Sequence, residues 1–90
     1  MGATAALTVE TLPNPARGVR TVRIAGAAGA EATVAIYDLL GRRVATLGTV
    51  ALRDGRGEAA WSAARLPAGV YVVRVVAGAE TAAVRATVLQ

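Results

Sequence analysis

Apolar residues in this chain recur at every second position, and that period excludes most folds at once. In "VYVVRVV", Val70 to Val76, one face carries Tyr71, Val73 and Val75 and the other Val70, Val72, Arg74 and Val76. Successive side chains of a strand point to opposite faces, so a run of this kind reads as a strand. Its single charge assigns the Tyr71 face to the interior. The same period places Leu7 with Val9, Val22 with Ile24, Val34 with Ile36, and Ala59 with Trp61 on inward faces. Val84, Ala86 and Val88 do likewise opposite Arg85 and Thr87, and Arg43 to Leu47 makes a further short strand. No apolar stripe develops at spacings of three and four, and glycine interrupts alanine-rich pieces such as "AGAAGA", so helices are not expected.

Turn signals punctuate these runs. Pro13, Asn14, Pro15 and Gly18 in "LPNPARG" end the first strand, because proline cannot donate to a ladder. "DLLG", Asp38 to Gly41, reads as a type I turn with a bulge, in which Asp38 takes the first position and Gly41 a positive φ. Leu39 and Leu40 are expected to cover this corner, and Val34, Ile36 and Val44 to feed the core beneath it. "RDGRG", "ARLPAG" and "AGAE" supply the later reversals, with Leu66 held against the core. Seven short antiparallel strands with closely spaced turns are what an immunoglobulin-like β-sandwich needs. Tyr71, two residues after Gly69, fits the tyrosine corner of such sandwiches, whose hydroxyl bonds to backbone a few residues upstream. No linker or internal repeat breaks residues 1–90, so one domain is expected.

Composition narrows the function. A chain of 90 residues buries about 60 to 65% of its unfolded surface. With 22 alanines contributing little area each, the specific packing falls to Val, Ile, Leu, Trp61, Tyr37 and Tyr71. The chain has no cysteine and no histidine, which removes disulfides, thiolate metal sites and the commonest nucleophiles and general bases. All ten basic residues are arginine. They are spread along the sequence with three aromatics in total, which argues against nucleic acid and for a compositional bias. No segment reaches the roughly 18 apolar residues of a membrane-spanning helix, and the first residues lack the layout of a signal peptide.

The reactive candidates are few. Arg42 and Arg43 are suited to bidentate contacts with an anion, but adjacent arginines after a turn commonly form wet shoulders of a hairpin. Asp38 and Asp54 sit at turns without a paired acid, which disfavours both a glycosidase dyad and a calcium loop. Ser62, the only serine, has no histidine to activate it, and no cofactor site is expected. Trp61, the only tryptophan, is either a sugar-stacking platform or, more economically, a core anchor.

Four segments in order carry a family likeness. "LPNPARG" (Leu12 to Gly18), "VAIYDLLGRRVATL" (Val34 to Leu47), "LPAGVYVVRV" (Leu66 to Val75) and "AVRATVLQ" (Ala83 to Gln90) together resemble the type A C-terminal sorting domains of type IX (Por) secretion substrates in Bacteroidota. The immunoglobulin-like module of the flagellar hook-capping protein is related in style. The resemblance implies a non-catalytic sorting domain at the end of a larger exported protein. It would be read by the outer-membrane translocation and attachment machinery and would deliver an upstream cargo through the periplasm to the cell surface or beyond. It also implies that Gly69, Tyr71, Arg85 and Val88 carry the sorting signal; Pro13, Asn14, Pro15, Asp38, Gly41 and Trp61 are expected to be structural positions. The family usually has lysine where this chain has Arg85, a change that keeps charge but not geometry. The position of "ATVLQ" favours sorting over scaffolding. The competing expectation is an accessory carbohydrate-binding or structural module on a secreted glycoside hydrolase or assembly protein. An exposed strand edge offers a route to a dimer.

Overall fold

The computed structural model describes residues 6–12, 19–62, 64 and 66–89. Pro13, Asn14, Pro15 and Gly18 lie outside them. Seven strands follow in order: β1 Thr8–Leu12, β2 Val19–Ala25, β3 Glu31–Asp38, β4 Arg43–Ala51, β5 Arg56–Ser62, β6 Gly69–Ala77 and β7 Glu80–Val88. They form two antiparallel sheets, one of three strands in the order β1-β2-β5 and one of four in the order β4-β3-β6-β7. This is the immunoglobulin-like sandwich that the alternation predicts.

The core lies between the sheets. Val22, Ile24 and Trp61 of the smaller sheet meet Val34, Ile36, Tyr71, Val73, Val75, Ala86 and Val88 of the larger. Val84, Ala59 and Leu66 pack at its margin. Leu52 is fully buried although it belongs to no strand. Its backbone is held by the β2–β3 turn, Leu52 N–H donating to Ala30 O and Gly29 N–H donating to Leu52 O, both at 2.9 Å. The turn at Gly55 is pinned to the same place, where Gly26 N–H donates to Gly55 O at 2.9 Å. Gly55 has φ +80, and a Cβ there would stand 2.8 Å from Gly26 O, so both conformation and space call for glycine.

β4 departs from expectation. It runs on to Ala51 rather than stopping at Leu47, and its pairing with β3 shifts register twice, between Val34 and Ala35 and between Ile36 and Tyr37. Each bulge inserts a residue and reverses the parity of the positions beyond it. Val44 therefore falls out of the alternation and is 39% exposed instead of feeding the core, while Ala45 and Leu47 pack inward. β7, by contrast, pairs with β6 through nine consecutive positions without irregularity.

Candidate functional site

The hairpin corner between β3 and β4 is held by one carboxylate. Gly41 N–H donates to Asp38 O at 3.1 Å and Asp38 N–H donates to Arg42 O at 2.9 Å, which closes a turn followed by a bulge with Gly41 at φ +83. Oδ1 of Asp38 accepts from the backbone N–H groups of Leu40 and Arg42, each at 2.9 Å, and Oδ2 accepts from Arg42 Nε at 2.9 Å. The Arg42 backbone N–H above all, with the Arg42 side chain and the Leu40 N–H adding to it, holds the Asp38 carboxyl below the usual carboxylate range against an opposing desolvation. Asp38 is thus occupied by its own loop. Leu39 and Leu40 do not cover the corner: they stand out from it, 65% and 78% exposed.

At the opposite end, Tyr71 Oη donates to Pro67 O at 2.6 Å, a tyrosine corner that fixes the entry of β6. Gly69 opens that strand at φ +152. Tyr71 and Val88 are buried, and Arg85 is exposed on the outer face of the sheet. Of the four positions to which the resemblance assigns the sorting signal, Arg85 is therefore the one with an exposed side chain.

Trp61 lies in the core, with its ring under the guanidinium of Arg20 at 5.0 Å to the ring centroid. The two are direct cross-strand partners on β5 and β2. Arg20 is only 1% exposed, and burial pushes its pKa down. A desolvated cation–π contact of this kind contributes about 2 kcal/mol. Sequence reasoning does not single this residue out, although the signal is present: Arg20, Val22 and Ile24 are in phase, and the alternation directs all three inward.

The outer faces of the two sheets differ. On the smaller sheet Glu10, Arg23 and Glu58 lie opposite one another across three strands. Arg23 reaches Glu10 at 3.8 Å and Glu58 at 3.4 Å. On the larger sheet the register sets Arg43, Tyr37, Val72 and Arg85 in one row and Thr46, Ala35, Arg74 and Ala83 in the next. A hollow of about 350 Å³ lies between this face and the hairpin corner, lined by Tyr37, Asp38, Leu39, Gly41, Val72 and Arg74. Among the described residues no three of Asp, Glu, His or Cys gather as metal ligands would, and no helix is long and apolar enough to cross a membrane.

The seven strands, the tyrosine corner and the self-capped hairpin define a small immunoglobulin-like all-β domain. The chain belongs to the secretion system C-terminal sorting domain family, whose model matches residues 10–89. Domains of this family are non-catalytic export signals of type IX secretion, which leads to the cell surface or the extracellular space. Among solved structures the chain resembles dimeric latent PorU from Porphyromonas gingivalis, with a TM-score of 0.78 and 24% identity over 99% of this chain and 10% of that one. The likeness shows the shared fold. No curated protein matches.

Proposed function

We propose that this chain is the C-terminal sorting domain of a larger exported protein and that it delivers an upstream cargo through the type IX apparatus to the cell surface or the medium. The observation that carries this reading is the family match over residues 10–89, which runs from the first strand through the last. The placement of the four candidate signal positions supports a division of labour. Gly69 and Tyr71 set the course of β6, Val88 locks β7 into the core, and Arg85 presents charge outside. The alternative of a carbohydrate-binding module needs an exposed aromatic platform, and Trp61 is 6% exposed.

The test is export. Residues 1–90 are fused behind a periplasm-directed fluorescent reporter in a Bacteroidota host with and without a functional type IX apparatus. Surface signal that depends on the apparatus is expected. Folded, intact reporter trapped in the periplasm of both strains would remove the sorting reading.

A further inference from the structure

The outer face of the four-stranded sheet concentrates charge of one sign around an apolar floor. Sheet order brings Arg43, Arg74 and Arg85 onto three strands of one surface although they are far apart in sequence. With strands about 4.8 Å apart, the backbones of Arg43 and Arg85 stand roughly 14 Å from each other, and Arg74 lies between them one row along. The floor consists of Tyr37 and Val72, in one row between Arg43 and Arg85, with Ala35 beside Arg74 in the next row. Among the described residues, the only acid at an outward strand position of this face is Glu31, at the far end of β3. Asp38 borders the hollow, but its oxygens are taken up by Leu40 and Arg42.

The smaller sheet is the internal control. Its hollow is larger, about 670 Å³, yet it is lined by Glu10, Glu58, Arg23 and Arg56, whose charges cancel and in which Arg23 already bridges both acids. That face offers no preference for a charged partner. The four-stranded face does, because guanidinium groups spread over a flat floor favour carboxylates presented at matching separations.

We propose that the outer face of the four-stranded sheet, centred on Tyr37 and Val72 and framed by Arg43, Arg74 and Arg85, is the docking surface of the domain, and that its occupant is an acidic protein surface of the export machinery. The proposal rests on the sorting reading and adds to it the face that is read and the chemistry that reads it. A protein fits better than a bilayer. Ala35 and Val72 are short and Tyr37 is half-buried, so the floor lies lower than the arginines around it. Such a floor meets a surface that descends onto it; the long apolar side chains nearby, Leu39 and Leu40, stand on the hairpin corner at its rim and not on the floor itself. Apolar contact with Tyr37 and Val72 then excludes water from the rim contacts and strengthens them.

The experiment uses the same reporter fusion with R43E/R74E/R85E, with R43K/R74K/R85K as the charge-conserving variant and R53E/R56E as a reversal away from this face. Thermal melting of each purified domain establishes folding. Where the triple reversal melts early, Arg74→Glu alone, an exposed mid-face change, replaces it. Reversal is expected to cut apparatus-dependent surface signal by about tenfold or more, since like charges set against each other in an interface weaken binding by at least that factor. The lysine variant and R53E/R56E should retain most of the signal. Loss of apparatus dependence in the wild type would overturn the sorting reading itself. A dependent wild type with an equally exported, folded triple reversal would overturn the docking face and leave sorting intact. Equal losses in R43E/R74E/R85E and R53E/R56E would reduce the effect to net charge and overturn it as well. Flotation with phosphatidylglycerol vesicles that requires the three arginines would reassign the face to lipid.

Discussion

The two sheets of this domain share one core and present opposite faces to solvent. The three-stranded face is electrostatically balanced: its cross-strand ladder Glu10, Arg23, Glu58 alternates in sign and satisfies itself. The four-stranded face is one-signed over most of its area, with three arginines around a half-buried tyrosine and valine. Both have polar residues at outward positions, so hydropathy alone does not tell them apart. What separates them is whether acids are set among the arginines of the face, and the register decides that.

Both faces hang on a single core. Replacing Ile36, fully buried on β3, by alanine should cost about 2 to 5 kcal/mol in denaturant titration. Its unfolding should remain one transition by tryptophan fluorescence, which reports the smaller sheet, and by far-ultraviolet dichroism, which reports both. Two separated transitions would show that the sheets are independent. The turns give a second contrast. Gly55 is crowded against the Gly26 carbonyl and Gly41 stands in open space, both at positive φ. Gly55→Ala should therefore cost about 2 to 3 kcal/mol. Gly41→Val should cost more than about 1 kcal/mol, and Gly41→Asn less, because asparagine tolerates the left-handed region. An unchanged melting midpoint for Gly41→Val would sink the turn assignment.

Asp38 supplies a pH test confined to the four-stranded side. Its folded pKa lies below the ordinary value for an aspartate, so its stabilisation is fully present above the unfolded pKa and is lost as pH falls through the folded one. Asp38→Ala should melt below the wild type at neutral pH, and the gap should close as pH drops through and beneath about 3.9, the unfolded aspartate value. The smallest effect belongs to the ladder. Glu58→Gln removes one arm of an exposed pair, should cost less than about 1 kcal/mol, and should become silent in high salt.

Much of the fold is legible in the sequence because alternation is local. Tyr71, Val73 and Val75, or Val84, Ala86 and Val88, declare their face without reference to any partner strand. Val44 defies the alternation because a bulge changes parity without leaving a mark in composition. Arg20 escapes notice because its charge argues against its phase, whereas Trp61 beneath it makes burial tolerable. Leu52 sits in a connection where no period applies. The arginine face is illegible for a different reason: Arg43, Arg74 and Arg85 become neighbours only through the sheet order β4-β3-β6-β7, which has no signature in any one segment.

That order also governs folding. The larger sheet is two hairpins, β3 with β4 and β6 with β7, stitched together by the β3–β6 ladder. Hairpins close in about 1 to 10 microseconds, while pairing across a long intervening chain must first overcome loop-closure entropy and comes later. Arg43 arrives on the first hairpin, and Arg74 and Arg85 arrive on the second. The three meet only when the stitch is made. A partner that grips all three, as the proposed docking requires, would thereby distinguish a finished domain from a half-assembled one.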